Sequence, residues 1–225
     1  MNLVRSKQRR GFTLLELLAV IATIAILASL LLPILGRTKV KALRANCISN
    51  LNQLGLGWAM YAQDNNGLLV ESYPVNNPYA WVQGDVSLQS EASDENNIRN
   101  GKLFSYNPSL SIYRCPSDRG VMIAGERVQA VRSYSMNGFM GGRNPTLGHI
   151  PPSAGNFVMF YAKDSEIPRP SQLFVLLDED ERSIGDGFYV TDPDGRVWMD
   201  FPSISKHRHA FSFALNFADG HSEAW

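Results

Sequence analysis

The residues of this chain best suited to metal chemistry are three acids and two histidines near its end: Asp178, Glu179, His209, Asp219 and His221. Carboxylate oxygens suit Ca²⁺, whereas imidazole nitrogens suit a transition metal. Their spacing matches no continuous metal-binding loop such as the EF-hand. A purely structural interpretation therefore remains open as well as the metal site. In it, Asp178 and Glu179 lie at the end of a strand and Asp219 lies in a turn.

The two cysteines, Cys47 and Cys115, do not form a Cys-x-x-Cys pair, which excludes the common local zinc and redox motifs. In an oxidising compartment they could form a disulfide, and otherwise they are small buried hydrophobic side chains. The sequence leaves both interpretations open. No serine lies in a Gly-x-Ser-x-Gly turn, so a serine hydrolase has no support.

A single acid, Glu16, lies at the start of an apolar run in which the 19 residues from Leu17 to Leu35 carry no charge. At about 1.5 Å per residue, about 20 helical residues cross the ~30 Å hydrocarbon core. A carboxylate in such a segment is costly and indicates a function. If the chain were cut after Gly11, the new amino group of Phe12 would lie about one helical turn before Glu16. It could then pair with the carboxylate of a neighbouring subunit, and such head-to-tail contacts build open filaments.

The charges of the chain are unevenly distributed, although 21 basic and 21 acidic residues balance overall. Residues 1–11 and 37–44 each carry four basic residues and no acid, whereas the chain from position 45 onward carries 13 bases and 20 acids. An acidic body argues against nucleic acid as a partner. Basic clusters on both sides of an apolar run indicate a membrane. An ordinary cleaved signal peptide is disfavoured, because the run is long and contains no Ala-x-Ala site.

The elements that must position these residues begin with a long helix. Apolar residues from 40 to 61 recur at steps of three or four, and a turn sequence follows at 64–67. We expect one helix over Phe12–Ala62, with Pro33 bending or locally opening it. The alternative is that Pro33 and Gly36 simply end the membrane helix.

The remaining residues, 68–225, are short apolar runs between loops rich in Gly, Pro, Asn and Ser, which predicts an antiparallel sheet and an α+β fold class. The predicted strands are Leu110–Arg114, Val131–Met136, Asn156–Phe160, Leu173–Leu177, Gly187–Val190, Arg196–Met199, Ser212–Phe217 and Ser222–Trp225. An aromatic group in loop-like sequence could bind a glycan or a partner, or pack in the core: Tyr73, Tyr79, Trp81, Tyr106 and Tyr113.

The basic leader, the junction Gly11-Phe12-Thr13-Leu14-Leu15-Glu16 and the apolar run together resemble the class III signal of prepilins and type II secretion pseudopilins. The resemblance implies cleavage between Gly11 and Phe12 by a prepilin peptidase and N-methylation of Phe12. It also implies storage in the inner membrane and assembly into a pseudopilus or type IV pilus-like fibre. Glu16 then supplies the assembly charge, and Pro33 lets the helix bend or melt during packing. The implied shape is the pilin-like lollipop, a long helix packed on an antiparallel sheet head.

Further motifs resemble one branch of pseudopilin-like proteins that ends in a His-x9-Asp-Gly motif, here His209 to Asp219-Gly220. The others are Cys47-x-x-Asn50-Leu51-x-Gln53-Leu54, Tyr61-Ala62-x-Asp64-Asn65-x-Gly67, Cys115-Pro116-Ser117-Asp118, Ser133-Tyr134-x-Met136-Asn137 and Asp178-Glu179. This branch implies a fold and an export class but no specific task. Major pseudopilins carry a calcium site in their C-terminal loops, which makes Ca²⁺ the cofactor to expect if there is one.

The resulting prediction is a non-enzymatic fibre subunit with three segments: a leader, 1–11; a transmembrane and assembly helix, 12–35; and a periplasmic head, 36–225. Residues 36–62 of the head continue the helix, and 68–225 are rich in strands. The implied partners are the prepilin peptidase, other pseudopilin subunits, the secretion or pilus assembly platform and inner-membrane lipid. The main alternative is a membrane-tethered binding module whose head captures a glycan or a cargo protein. A metal-dependent hydrolase is a weaker one.

Overall fold

The chain has 225 residues, and the computed structural model describes residues 12–75, 77–141, 160–190, 200–204 and 208–225. It divides into two compact units, Met1–Lys39 and Val40–Trp225. One helix, α1, runs over Leu14–Asp64 with Pro33 inside it. The prediction of one long helix is therefore confirmed to within two residues at each end, and the alternative that Pro33 and Gly36 end it is wrong. A proline removes only one hydrogen bond of the helical ladder, and the adjacent turns keep theirs.

The first unit consists of the apolar part of α1. Each residue from position 12 to 39 is exposed in the isolated chain. An 18-residue window here has a mean hydropathy of 2.7, so by length and composition this helix could cross a membrane. An apolar helix without a protein core around it needs lipid or other helices to cover it.

The second unit contains a five-stranded sheet in the order β5-β3-β4-β6-β7 and a separate two-stranded sheet, β1-β2. The strands are β1 Val121–Ile123, β2 Glu126–Val128, β3 Tyr134–Asn137, β4 Phe174–Asp178, β5 Phe188–Tyr189, β6 Ala214–Phe217 and β7 Ser222–Ala224. A short helix, α2, covers Asn96–Arg99, and single 3₁₀ turns cover Lys102–Ser105, Leu110–Tyr113, Asp164–Glu166 and Pro170–Gln172. All pairings in the main sheet are antiparallel except the parallel pair β3-β5, so the sheet is mixed.

Five of the predicted strands overlap observed ones, namely β3 to β7. The strand predicted at Leu110–Arg114 is wrong, because most of it forms a 3₁₀ turn. The strand predicted at Arg196–Met199 and most of Asn156–Phe160 lie outside the described residues. The hairpin β1-β2 was not predicted, since its strands have only three residues each and no alternating apolar pattern.

The core of the second unit forms where one face of α1 packs on the main sheet. The buried residues of this face recur at helical spacing: Cys47, Leu51, Leu54, Trp58 and Ala62. They belong to one cluster with sheet residues that include Tyr134, Met136, Val175, Leu176 and Ala214. Cys47 and Tyr134, at one end of this face, lead directly to a group of buried polar side chains.

Candidate functional site

The first candidate site lies at the start of α1, where Thr13 and Glu16 form hydrogen bonds to each other in both directions. The backbone N–H and hydroxyl of Thr13 both donate to Glu16 Oε2, at 2.9 and 2.8 Å. The Glu16 N–H donates back to Thr13 Oγ1 at 3.2 Å. This is a capping box, and it satisfies donors that the first helical turn otherwise leaves open. Phe12, immediately before it, has 75% of its surface exposed.

The second candidate site is a buried polar group in the second unit. Cys47 comes from α1, Cys115 follows the 3₁₀ turn at 110–113, Asp178 ends β4, and His209 precedes β6. All four side chains are buried, and one ligand atom from each lies within 4.8 Å of the others. Four segments that are far apart in sequence therefore bring two thiols, a carboxylate and an imidazole to one point.

The distances within this group, which we call the Cys-Cys-Asp-His cluster, are short. His209 Nε2 lies 3.2 Å from Cys115 Sγ and 3.3 Å from Asp178 Oδ2. Asp178 Oδ2 is also 3.9 Å from Cys47 Sγ. The Tyr134 hydroxyl donates to Cys47 Sγ at 3.3 Å. One carboxylate oxygen and one imidazole nitrogen thus face both sulfur atoms.

A buried arginine, Arg208, pairs with Asp178 on the side away from the two sulfur atoms. Arg208 Nη1 donates to Asp178 Oδ1 at 2.7 Å and Nη2 lies 2.7 Å from Asp118 Oδ1. The other oxygen of Asp118 accepts from Ser133 Oγ, which in turn accepts the Cys115 N–H at 2.9 Å. Because charge-assisted bonds in a buried site are strong and directional, this network fixes both Asp178 and the Cys115 backbone.

The electrostatics of the cluster favour the charged forms of Cys115 and His209 and the neutral thiol of Cys47. A hydrogen bond from Cys47 holds the pKa of Cys115 down, to about 7, against its burial and with help from His209. Burial opposes protonation of His209, but Asp178 and Cys115 outweigh it and raise the pKa of His209 to about 9. Burial, with Cys115 and Asp178 beside it, raises the pKa of Cys47. The cluster therefore holds a thiol that ionises readily next to an imidazole that accepts a proton.

His209 is held in an uncommon backbone conformation. Its φ is +51°, and the next two residues, Ala210 and Phe211, have φ values of +55° and +67°. Three successive residues in the left-handed region, none of them glycine, store strain that the surrounding structure must hold in place. Such strain is found at sites where a side chain is positioned for a function.

The structure separates the metal-ligand set predicted from sequence. Asp178 and His209 belong to the Cys-Cys-Asp-His cluster, but Glu179, Asp219 and His221 are not among its ligand groups in the described residues. Asp219 and His221 bond to each other on an exposed turn between β6 and β7. Burial raises the pKa of Glu179 to about 8, and its backbone carbonyl accepts a bond from Arg208. The turn interpretation of Asp219 therefore fits this structure.

The other predicted sites have simple outcomes. Gly11 and the leader lie outside the described residues, whereas Pro33 lies inside α1.

Cys47 and Cys115 are both buried, and neither forms a disulfide in this structure. Of the aromatic residues, Trp81 and Tyr113 are buried and stack on each other at 6.4 Å between ring centroids. Core packing thus accounts for Trp81 and Tyr113, whereas Tyr79 is 60% exposed.

Sequence reasoning did not identify Arg208, Asp118, Ser133 and Tyr134 as members of one site. A signal was available, because three of them lie inside motifs that carried the resemblance to pseudopilin-like proteins: Cys-Pro-Ser-Asp at 115–118 and Ser-Tyr at 133–134. Together with Cys47, Asp178 and His209, these motifs meet at the buried cluster. Only Arg208, directly before the motif histidine, lies outside them.

Comparisons with known proteins extend this picture. A family model described as the prokaryotic N-terminal methylation motif matches residues 6–32. Type II secretion system core protein G of Klebsiella pneumoniae is 37% identical over 112 residues, which cover 50% of this chain and 69% of that protein. The protein of the same name from Pectobacterium carotovorum subsp. carotovorum is 44% identical over 59 residues, covering 26% of this chain and 38% of that protein. The protein of the same name from Escherichia coli strain K12 is 40% identical over 70 residues, covering 31% of this chain and 45% of that protein. No solved structure matches the chain.

A membrane-length N-terminal helix with a methylation motif, continuing into a unit with a sheet, defines a pilin-like α+β protein. Within that class, the chain belongs to the family of type II secretion system core protein G, the pseudopilins, which are structural subunits of the secretion fibre. The match spans less than half the length of the Pectobacterium and Escherichia relatives.

Proposed function

We propose that this chain is made as a precursor that a prepilin peptidase cuts between Gly11 and Phe12, after which Phe12 is N-methylated. Residues 12–35 then hold it in the inner membrane and later pack in the fibre, on the secretion assembly platform and with other pseudopilin subunits. The head, 36–225, lies in the periplasm, because the basic leader stays in the cytoplasm under the positive-inside rule. The methylation motif and the exposed apolar helix support this sequence of events.

The observation that carries the proposal is the position of Glu16. Both bonds from Thr13 go to Oε2, and no donor in the described part of the chain reaches Oε1. An unpaired carboxylate in an apolar helix bundle costs about 2.5–3.5 kcal/mol at the membrane centre and less near its edge. The amino group of a neighbouring subunit's Phe12 would offset this cost, so that assembly completes the site that the monomer leaves half satisfied.

The experiment separates two roles for Glu16, since a capping box accepts Gln as well as Glu. Glu16→Gln keeps the cap but removes the charge, and Glu16→Ala removes both. In cells that carry the peptidase and platform, we expect both variants to be cut to Phe12 and neither to yield cross-linked neighbours or sheared fibres. Ser29→Ala, which removes an uncharged side-chain bond to Ile26 O in the same helix, should assemble normally.

Two results would contradict the proposal. If Glu16→Gln assembles as well as the wild type while Glu16→Ala does not, Glu16 acts only as a helix cap. If the intact mass of the membrane-extracted protein shows a chain that starts at Met1, the precursor is not processed. A chain that starts at Phe12 with one added methyl group is the expected result.

A further inference from the structure

We propose that the head contains a structural zinc site formed by Cys47, Cys115, Asp178 and His209. Nothing in the assembly function of a pseudopilin requires such a site, so the inference goes beyond the proposed function. It rests on the geometry of the four ligand atoms, on their chemistry and on the network that holds them.

The geometry fits a single tetrahedral ion. With Zn–S of about 2.3 Å, Zn–N of about 2.0 Å and Zn–O of about 2.0 Å, the edges of a regular tetrahedron measure about 3.3–3.8 Å. Three of the six edges are 3.2 Å from His209 to Cys115, 3.3 Å from His209 to Asp178 and 3.9 Å from Asp178 to Cys47, and all four ligand atoms lie within 4.8 Å of one another. Each agrees with the ideal value for its pair of atoms to within about half an ångström. Binding an ion requires only small movements of side chains that are already together.

The chemistry of the donors selects the metal. Two thiolates and an imidazole suit Zn²⁺, whereas Ca²⁺ takes six to eight oxygen ligands and Mg²⁺ an octahedron of oxygens. The cluster offers one carboxylate, so the calcium ion expected from sequence does not fit here. All four ligands come from the protein, which is typical of a structural site rather than a catalytic one.

Three of the four ligands, Asp178, Cys47 and Cys115, are oriented by a second residue, as in established metal sites, whereas His209 Nδ1 has no hydrogen-bond partner among the described residues. Arg208 binds Asp178 Oδ1 and so turns Oδ2 towards the sulfur atoms. The Tyr134 hydroxyl donates to Cys47 Sγ, which stabilises a thiolate. Ser133 Oγ holds the backbone of Cys115. These contacts make a preformed site, which a pair of thiols buried for packing alone would not need.

The site lies next to an open cleft, although the four ligand side chains are themselves buried. Cys115 forms part of the wall of an open cleft of about 680 Å³, together with polar residues such as Asn50 and Arg114. Once bound, zinc would tie α1, the loop at position 115, β4 and the segment before β6 to one point. Because the unfolded chain does not hold its ligands together, the free energy of binding would add to the stability of the folded head.

The test uses the full-length protein extracted in mild detergent, with its metal content measured by mass spectrometry. We expect one zinc ion per chain. Chelation should lower the midpoint of thermal unfolding, and Zn²⁺ but not Ca²⁺ should restore it. Replacing zinc with Co²⁺ should give the sulfur-to-cobalt absorption of a tetrahedral thiolate site. These measurements need no variant, so they remain decisive if ligand substitutions prevent folding.

Variants then locate the ion. Cys115→Ser and Asp178→Asn should lose stoichiometric zinc, and Tyr134→Phe should bind it about 10–100-fold more weakly, the cost of losing one orienting contact. His221→Gln, on the exposed turn, is the matched histidine control and should keep it. Retention of zinc in both ligand variants would overturn the proposal.

Three other results would also overturn it: calcium in place of zinc, no metal and no response to Zn²⁺, or a disulfide. The disulfide is recognised when alkylation of the unfolded, unreduced and chelated protein modifies neither Cys47 nor Cys115. The proposal expects both thiols to be modified under those conditions.

Discussion

Gly55 lies inside α1, and its place in the packing leads to the sharpest stability prediction. A methyl group added at Gly55 would lie 2.3 Å from Oδ1 and 2.4 Å from Nδ2 of Asn216. Asn216 is fully buried on β6, where its amide donates to His221 O at 3.2 Å and to Ser222 Oγ at 3.0 Å. The amide therefore cannot move away without breaking these two side-chain bonds from β6 to His221 and Ser222.

The magnitude follows from two opposing terms. Replacing Gly by Ala in a helix is favourable by about 1 kcal/mol. Overpacking a buried contact and weakening two hydrogen bonds together cost about 2–4 kcal/mol. Gly55→Ala should therefore destabilise the head by about 1–3 kcal/mol net. For a unit of this size, that corresponds to a fall of about 2–12 °C in the unfolding midpoint.

The assay is thermal and urea unfolding of the detergent-solubilised chain, followed by the fluorescence of its buried tryptophans. Gly36→Ala is the matched control, because that helical glycine has no atom within 4 Å of the added methyl group, and its midpoint should not fall. In an Asn216→Ala background the obstacle is gone, so Gly55→Ala should become neutral or stabilising. If Gly55→Ala alone is as stable as the wild type, the close approach of α1 to β6 does not exist as described.

Two further changes test the core and the buried charges. Arg208→Met leaves two buried carboxylates without their cation and should lower the free energy of unfolding in urea by about 3–5 kcal/mol. Arg208→Lys keeps the charge and should lie between the wild type and Arg208→Met. An unchanged midpoint in Arg208→Met would show that the arginine does not pair as described. Leu51→Ala removes a fully buried side chain and should cost about 2–5 kcal/mol, whereas Leu56→Ala, 60% exposed on the same helix, should change the free energy of unfolding by under about 0.5 kcal/mol. Equal effects of the two leucine variants would contradict the assigned helix face.

Much of the fold could be predicted because its signals are local. The apolar run and the three- and four-residue periodicity placed α1 correctly, and short apolar segments bounded by turns placed β4, β6 and β7. The 3₁₀ turn at Leu110–Tyr113 was missed because a four-residue apolar run does not distinguish a strand from a tight helical turn. The parallel pairing of β5 with β3 was missed as well, since strand order depends on contacts between distant segments.

The candidate site in the head could be predicted only in part. All five residues of the predicted metal set were selected for the chemistry of their side chains, and two of them, His209 and Asp219, belong to one motif. In the structure that motif has two separate roles. Its histidine enters the buried cluster, and its Asp-Gly end forms the turn of the β6-β7 hairpin, where Gly220 has a φ of +92°. Side-chain chemistry alone grouped residues that the fold places apart.

The sequence by itself determined the membrane-length apolar helix, the acid at Glu16 and the class of fibre subunit, because each depends on the order of residues within one continuous N-terminal stretch. Only the tertiary structure decided that Cys47 and Cys115 meet an aspartate and a histidine. The absence of a Cys-x-x-Cys motif excludes only sites whose ligands are neighbours in the chain. In this protein the packing of α1 on the sheet brings the four side chains together, whereas in a Cys-x-x-Cys motif their spacing along the chain does so. Such packing cannot be read from any one segment of the sequence.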